Sequence, residues 1–502
     1  MPIYVRHASC VLLLAAAVAA VAGSESTPDS ARSELQLEFA DLLLDDERYW
    51  EALQAYTLAK EGAKPEQMLR ASAGSLRSAI TVAEFTRAYQ EALFLGEQGV
   101  EDPGMRTLRA DAFWSAGLFD EAEAMYRDIL SAHAAHAGAR HGLARSLAAG
   151  NRAADALAEV RAAIAADDRP EYHHTLGSIY RRLGRYPEAA AALDHYADTL
   201  PNVSGNRRTE WARSEARLLR SFGDAEPFEI VNDPDGLHVI PFELAQDKIV
   251  VRGRVNGGPE IDIVVDTGAE QMVLSQQTAA RMGVAAIAST ISAGVGDVGV
   301  RGLEVGRVDS MEVGSLLVRN LPAIIKNPPL TDLPVQRVRD SISPVAIGLS
   351  AAIDYEARRM TLARSLPDGP ADIELPMRIN RLALVRGVVN GEHERSFVVD
   401  TGGEVISLSI GTAASLGMVP PRYIPLQVYG TSGWDSDAFL MPGVRLAFNE
   451  IRYDNFSVVV LNLHRPSALL GFHIGGIVGH RFLSDYHVVM DMERSVLRLT
   501  RS

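Results

Sequence analysis

Two stretches of this chain are copies of one another. Residues 252–284 and 386–418 align without a gap, and 18 of the 33 aligned positions are identical. The identities centre on two Asp-Thr-Gly triplets, at residues 266–268 and 400–402. Each triplet follows an apolar run that is typical of a buried strand. The sequence therefore predicts two related lobes, each with an aspartate at the end of a buried strand.

An aspartate in such a position needs hydrogen-bond partners, because burying an unpaired carboxylate is costly. The residues beside it supply a hydroxyl, backbone N–H groups and a tight turn. These residues are Thr267, Gly268, Thr401 and Gly402. If the loops meet, Asp266 and Asp400 share one proton, because two like charges about 3 Å apart cannot both ionise cheaply. The alternative is that each aspartate only caps a turn; the duplication favours the acid–base pair.

At these residues the sequence resembles the aspartic peptidases of the retropepsin-like and pepsin-like type. The copies read Asp-Thr-Gly-Ala and Asp-Thr-Gly-Gly, and we match the apolar-apolar-Gly segment that the family carries beside each active loop to residues 345–348 and 476–479. The resemblance covers residues 236–502 and implies a bilobal all-β fold. It also implies that Asp266 and Asp400 activate a water without metal or organic cofactor, while the two threonines bond across the lobe interface.

A glycine-rich stretch in the first lobe, residues 294–299, satisfies the dinucleotide fingerprint Gly-x-Gly-x-x-Gly. A nucleotide site needs that loop to open a helix, whereas the following residues are strand-like. We interpret Gly294 and Gly296 as part of a hairpin tip, where the resemblance implies a flap over substrate. The matching turn of the second lobe carries Tyr429 and Trp434, which either line a substrate pocket, the favoured reading, or fill the core.

Two glutamates, Glu270 and Glu404, recur two residues after each glycine of the duplicated triplet. We expect their carboxylates to bind backbone N–H groups or nearby arginines such as Arg252 and Arg386. Their alternative role is a structural ion pair at the base of each lobe.

The chain before the duplication has a helical pattern. From residue 34 to residue 222 it is rich in Ala, Leu, Glu and Arg with a period of 3.6, which predicts helices. Residues 176–201 resemble the tetratricopeptide repeat, whose period is about 34 residues. The small residues Ala52, Ala122 and Ala156 are spaced near multiples of this period. The resemblance implies about five helix pairs in an α-solenoid, which either bind peptides or a partner protein or serve as a scaffold for the β half.

Adjacent histidines, His173 and His174, lie in this helical region. Adjacent residues on a helix point in different directions, so these two imidazoles are not expected to share one ion. We therefore expect structural histidines and no metal.

The first 22 residues are typical of a signal peptide. A short polar start with Arg6 precedes an apolar run over residues 11–22, which is short for a membrane span and ends in small residues. The protein is then exported to the periplasm or secreted; an uncleaved membrane anchor is the alternative. The single cysteine, Cys10, lies inside this segment, so the exported protein has no disulfide.

Composition limits the partners. The chain has 502 residues, of which 47% are hydrophobic, enough for substantial cores. A net charge of −15 disfavours nucleic acid and anionic membranes as partners. Peptides and proteins fit better.

The predicted organisation is a signal peptide (1–22), a helical repeat domain (34–222), a linker where Gly and Pro interrupt the helical pattern (223–236), a first lobe (237–370) and a second lobe (371–502). We expect an exported aspartic endopeptidase whose repeats bind substrate or a partner protein. The alternatives are a non-catalytic protein that only grips peptides and lobes that each dimerise with another molecule.

Overall fold

The computed structural model describes residues 29–200, 206–297, 301–326, 340–417 and 424–501. The predicted signal peptide lies outside the described residues. The chain divides into two compact units, Met1–Gly142 with Gly471–His473, and Leu143–Leu470 with Ile474–Ser502. In the described ranges, every helix is too short or too polar to cross a membrane.

Helices fill the described chain up to Arg220. In order they are α1 (Asp29–Asp45), α2 (Tyr49–Ala59), α3 (Pro65–Thr81), α4 (Phe85–Glu97), α5 (Pro103–Ser115), α6 (Phe119–Ala132), α7 (Ala137–Ala149), α8 (Ala153–Ala166), α9 (Pro170–Arg182), α10 (Tyr186–Thr199) and α11 (Arg207–Arg220). The turn inside each of the first five pairs has one residue with positive φ: Glu47, Ala83, Gly117, Asn151 and Gly184. The spacing of these turns matches the predicted helix-pair repeat.

Within the first unit, one packing arrangement recurs. The Tyr56 hydroxyl donates to the Asp41 carboxylate at 2.5 Å, and the Tyr56 ring fills the space beside Gly74, where a Cβ would lie 2.2 Å from the ring. Tyr126, two repeats later, makes the corresponding contacts. Glycine is required at these crossings because the neighbouring helix brings a large ring against the backbone.

Strands dominate after the helices. The first part contains β1 (Glu229–Ile230), β2 (His238–Pro241), β3 (Glu243–Ala245), β4 (Lys248–Val255), β5 (Ile261–Val265), β6 (Met272–Ser275), α12 (Gln276–Arg281), β7 (Ala286–Ser292), β8 (Arg301–Val313), β9 (Leu316–Lys326), β10 (Ser341–Ile342), α13 (Pro344–Ile347), β11 (Ser350–Asp354) and β12 (Arg359–Ala363). One sheet has the order β1-β9-β6-β10-β5-β4-β8-β7, with β3 beside β4.

The second part repeats this pattern. It contains β13 (Ile373–Asn380), β14 (Leu382–Val389), β15 (His393–Val399), β16 (Ser407–Ser409), α14 (Ile410–Ser415), β17 (Ile424–Pro425), β18 (Val428–Gly430), β19 (Gly433–Asp435), β20 (Phe439–Phe448), β21 (Ile451–Leu461), α15 (His464–Leu470), β22 (Gly476–Val478), α16 (His480–Leu483), β23 (Tyr486–Asp491) and β24 (Val496–Arg501). The described strands form the order β17-β20-β21-β16-β22-β15-β14-β13-β24-β23-β11-β12-β2, and β18 pairs with β19 apart from it.

This second sheet joins the two lobes. Strand β11 of the first lobe pairs antiparallel with β23 of the second lobe, and β12 pairs with β2. The buried apolar side chains of both copies accordingly form one continuous core that runs from Ile230 to Leu499. The predicted architecture, helical repeats followed by a mostly β region of two lobes, is confirmed. The domain limits drawn from the sequence stay a prediction.

A short strand lies beside each aspartate loop, and in the first lobe it differs from our sequence match. Strand β22 pairs in parallel with β15, as expected for residues 476–479. In the first lobe, however, β10 pairs in parallel with β5, so Ile342 occupies the place of Val478. Our match to residues 345–348 was wrong, because most of that segment forms helix α13 and Gly348 caps it.

The last repeat helices pack against the β region within the second unit. The Ser289 backbone N–H in β7 donates to the Ser214 hydroxyl of α11 at 2.8 Å. The Arg182 guanidinium of α9 donates to the Ile379 carbonyl of β13 at 2.8 Å and to the Asn151 side chain at 3.0 Å. These helices are therefore bonded to both β lobes.

Candidate active site

The two aspartates of the duplicated triplets lie at equivalent points of the fold. Asp266 follows β5 and Asp400 follows β15, each at the buried end of its strand. The Asp266 N–H donates to the Ile342 carbonyl at 2.9 Å, and the Asp400 N–H donates to the Val478 carbonyl at 3.0 Å. The neighbouring parallel strand thus fixes where each aspartate leaves the sheet.

The structure brings the two carboxyl groups together. The Asp400 carboxyl group lies against Gly268 of the loop of Asp266, and the Asp266 carboxyl group lies against Gly402 of the loop of Asp400. One oxygen of Asp266 accepts the Gly268 N–H at 3.0 Å, and one oxygen of Asp400 accepts the Gly402 N–H at 2.8 Å. Each carboxyl group is thereby oriented by its own loop and faces the other.

The glycines of the triplets are required for space. A Cβ on Gly268 would lie 2.5 Å from the Asp400 carboxyl carbon, and a Cβ on Gly402 would lie 2.6 Å from an Asp266 carboxyl oxygen. Neither glycine has φ in the left-handed region, so the turn itself would accept another residue. Any side chain here would displace the opposite carboxyl group.

The threonines of the triplets connect the two loops. The Thr267 hydroxyl donates to the Val399 carbonyl, and the Thr401 hydroxyl donates to the Val265 carbonyl, both at 2.7 Å. Both threonines are fully buried. Hydrogen bonds of this kind hold best where water cannot compete, so the two loops form one rigid base beneath the carboxyl groups.

The site shifts the acidity of Asp266. Burial raises the pKa of Asp266 from 3.8 to about 7, and the negative charge of Asp400 and its hydrogen bond add to this rise. The positive charge of Lys248 and the Gly268 N–H act in the opposite direction. A proton is therefore retained between the two aspartates at a pH where a solvated aspartate has lost it.

Lys248 makes the two halves of the aspartate site unequal in charge. Its ammonium group donates to the Gly402 carbonyl, which belongs to the loop of Asp400. The residue at the equivalent position of the second lobe is Leu382, which is buried. One lobe thus supplies a cation to the base of the site where the other supplies an apolar side chain.

The predicted flap residues meet the second lobe. The Gly294 N–H donates to the Ser432 hydroxyl at 2.9 Å, and the backbone of Gly296, at φ +129°, leaves no room for a Cβ against Ser432. Tyr429 and Trp434 pack edge to face with ring centres 5.3 Å apart, and Trp434 is 43% exposed. Trp434 therefore does not fill the core. Contact of these residues with substrate stays a prediction.

The chain after the glycine-rich stretch is strand, as expected. Residues 298–300 lie outside the described ranges, and β8 begins at Arg301. The helix that a dinucleotide loop requires is not found in the described residues that follow.

The arginine expected for Glu270, Arg252, was wrong, and Glu270 forms a structural ion pair with a different arginine. Glu270 pairs with Arg381, which lies 111 positions further along the chain. The Arg381 Nε atom donates to the Glu270 carboxylate at 2.6 Å. Arg252 instead pairs with Asp262, its neighbour across the β4–β5 hairpin, at 3.0 Å. Arg386 likewise pairs with Glu394 at 3.0 Å. Glu270 thus joins the lobes, a role that sequence reasoning missed. Glu404 is exposed, and its backbone carbonyl accepts the Arg481 N–H.

Family models match three parts of the chain. Residues 251–333 match the family described as "gag-polyprotein putative aspartyl protease", and residues 385–474 match the family described as "Aspartyl protease". Residues 113–179 match the tetratricopeptide repeat family. Both resemblances drawn from the sequence are therefore confirmed: each lobe contains an aspartic protease-like domain, and tetratricopeptide repeats precede them.

Three solved structures resemble parts of the chain. A thermophilic tetratricopeptide-repeat protein of Thermus thermophilus is 19% identical over 34% of this chain and 92% of its own, with a TM-score of 0.30. The aspartic proteinase from Irpex lacteus is 11% identical over 53% of this chain and 98% of its own, with a TM-score of 0.33. A tetratricopeptide-repeat protein from Parabacteroides merdae is 13% identical over 42% of this chain and 92% of its own, with a TM-score of 0.29. A search of curated proteins found no significant match.

Proposed function

We propose that this protein is an exported aspartic endopeptidase that hydrolyses peptide bonds with a water activated by Asp266 and Asp400. The observation that carries the proposal is the close approach of the two half-buried carboxyl groups, each of which lies against the glycine of the other lobe's Asp-Thr-Gly triplet. Two carboxyl groups that retain one proton provide an acid and a base at the same point. The match of both sequence copies to aspartyl protease families supports the same reaction.

The chemistry follows from the shared proton. The ionised carboxylate takes a proton from a water molecule, whose oxygen attacks the carbonyl carbon of the scissile peptide. The protonated carboxyl group gives its proton to the carbonyl oxygen. The dyad then gives its proton to the leaving nitrogen, one hydroxyl of the tetrahedral intermediate returns a proton to the dyad, and the C–N bond breaks as the new C=O bond forms. The dyad ends with one proton again, so the cycle can repeat without a further reactant.

The helical repeats have a proposed role in binding polypeptide. Tetratricopeptide repeats form surfaces that bind peptides or partner proteins. The hydrogen bonds from α9 and α11 to the β lobes support a second, structural role for the last helices. Substrate or a partner held on the repeats would then be attached to the molecule that cuts it.

Export is proposed from the first 22 residues, whose apolar run and small terminal residues are those of a signal peptide. N-terminal sequencing of the protein recovered from the periplasm or the medium tests this. A new terminus close to residue 23 supports export. A full-length chain retained in the membrane contradicts it.

The activity is tested with unfolded casein between about pH 4 and pH 7. The purified protein without residues 1–22 is incubated with and without a statine inhibitor, and the products are identified by mass spectrometry. We expect cleavage that the inhibitor blocks and that is absent in both Asp266→Asn and Asp400→Asn.

Two results would contradict the proposal. Full activity in either single variant would mean that the lobes do not form one site. Peptide binding without cleavage at any pH, unchanged in the two variants, would indicate a non-catalytic peptide-binding protein.

A further inference from the structure

Three side chains of the types that bind metal ions lie close together at the open end of the α9–α10 hairpin. His173 lies in the first turns of α9, His195 in the second half of α10, and Asp168 in the loop before α9. Their donor atoms all lie within 4.8 Å of one another. All three residues belong to the second unit, and none takes part in the candidate active site.

The geometry of the group is close. The His173 Nε2 atom is 2.6 Å from an Asp168 carboxylate oxygen. The rings of His173 and His195 have centres 4.0 Å apart and are tilted by 47°. In a tetrahedral zinc site with bonds near 2.0–2.1 Å, donor atoms are roughly 3.3 Å apart. The donor separations here, 2.6 Å for one pair and at most 4.8 Å for the others, lie on either side of that value, and the side chains of Asp168 and His195 are exposed and free of core packing.

The adjacent His174 does not belong to this group. Its ring packs against Tyr196 and Trp211, with ring centres 5.4 Å away in each case. The rule that adjacent histidines on a helix diverge thus holds for His173 and His174. It did not anticipate that the next helix supplies a second imidazole and the preceding loop supplies a carboxylate.

The donor set selects a class of ion. Two imidazoles and one carboxylate suit Zn²⁺ and neighbouring transition metals, whereas Ca²⁺ and Mg²⁺ prefer sites made of oxygen atoms. Two imidazoles and a carboxylate also leave a fourth tetrahedral position for water. With neutral imidazoles the group carries one negative charge, which favours a divalent cation.

We propose that Asp168, His173 and His195 bind one Zn²⁺ ion, which clips the loop before α9 and the end of α10 together. The two helices are already joined by the turn at Gly184, at the opposite end of the hairpin. An ion at the open end closes the hairpin at both ends. Because α9 also bonds to the β13 backbone through Arg182, the ion stabilises the helices that are bonded to the β lobes.

Calorimetric titration tests the site. The full chain without its signal segment, prepared without a polyhistidine tag and stripped with EDTA, is titrated with Zn²⁺, and Co²⁺ is used separately as a spectroscopic probe. We expect one Zn²⁺ per chain, a tetrahedral Co²⁺ spectrum and no competition from Mg²⁺. His195→Ala and Asp168→Asn should each weaken binding by at least about tenfold.

The controls separate binding from folding. Both substituted side chains are exposed, so the unfolding temperature of each variant without metal should equal that of the wild type. Zn²⁺ should raise that temperature in the wild type and less in the variants. His133→Ala removes another exposed histidine of the helical region and should leave the affinity unchanged. Absence of stoichiometric binding by the wild type, or equal affinity in His195→Ala, would overturn the proposal, whatever the peptidase assay shows.

Discussion

The Thr267 hydroxyl accepts the backbone N–H of Thr401 at 3.0 Å, and the Thr401 hydroxyl accepts the backbone N–H of Thr267 at 3.1 Å. Each hydroxyl also donates to a carbonyl of the opposite lobe. Four buried hydrogen bonds therefore join the aspartate loops, and the position of each carboxyl group depends on both lobes. Changes to this base should affect stability and activity in separable ways.

Replacing Thr267 with valine should destabilise the β region strongly. Valine keeps the shape but leaves the Val399 carbonyl and the Thr401 N–H buried without a partner. Leaving two buried groups unpaired costs about 2–4 kcal/mol. Thr267→Ser keeps the hydroxyl and should lose about 1 kcal/mol with the methyl group. Urea unfolding measures both; equal losses would show that the hydroxyl bonds contribute little.

Replacing Gly268 with alanine should abolish most activity and leave the chain folded. The new methyl group would displace the carboxyl group of Asp400 from Asp266. A misplaced catalytic group costs about a hundredfold in rate. Gly302→Ala is the matched control, because a Cβ there meets no atom within 4 Å. Casein cleavage rates decide the matter: an active Gly268→Ala protein would contradict the close approach.

The activity should fall as pH rises through the raised pKa of Asp266, about 7, because the last shared proton is then lost. Lys248 favours the ionised form of Asp266. Lys248→Gln keeps a donor for the Gly402 carbonyl but removes the charge, so the pKa rises. The alkaline limb of the rate profile should therefore move to higher pH.

Arg252→Gln serves as the comparison for that shift, because Arg252 is exposed and pairs with Asp262 away from the dyad. The alkaline limb of the Arg252→Gln rate profile should coincide with that of the wild type. A limb that moves to lower pH in Lys248→Gln would reverse the assigned effect of the cation.

Stability should also depend on pH through the dyad. The folded-state pKa of Asp266 is above its ordinary value of 3.8, so its stabilising contribution is complete below that pH and is lost as pH rises through about 7. Asp400→Asn removes the opposing charge and weakens this loss. Thermal unfolding of the two proteins should therefore diverge as pH rises, with the variant the more stable. Parallel curves would indicate that the carboxyl groups do not interact.

Removing the Arg182 guanidinium should destabilise the attachment of α9. It donates to the Ile379 carbonyl and to the Asn151 side chain, so Arg182→Ala should cost about 1–3 kcal/mol. Arg152→Ala removes an exposed pair with Asp155 and should cost less than about 0.5 kcal/mol. Equal unfolding temperatures for the two variants would show that this attachment is weak.

Much of the fold was predictable from local pattern. Strands β4, β5 and β14 coincide with runs of mostly apolar residues in the sequence, because most of their side chains are buried. The helix pairs followed from the regular spacing of small residues and from the tetratricopeptide-like unit. The aspartate pair followed from the duplication, since two copies of one loop can meet about a two-fold axis.

The remaining features depend on contacts that local pattern does not encode. Strand β10 has two residues, too few for any periodicity. The Glu270–Arg381 pair joins residues of different copies, whereas the nearer Arg252 is held by its cross-strand neighbour. The register of the β4–β5 hairpin places Arg252 opposite Asp262, and it would have revealed that these two residues pair. His195 meets His173 because of how the two helices pack against each other, which the adjacent pair of histidines does not reveal.

The most direct test of the central claim, that both aspartates form one site in one chain, is active-site titration with a tight statine inhibitor, monitored by calorimetry on a monomeric sample. We expect one inhibitor molecule per chain and a large loss of affinity in Asp266→Asn and in Asp400→Asn alike. Two molecules per chain, or undiminished affinity in either variant, would contradict it.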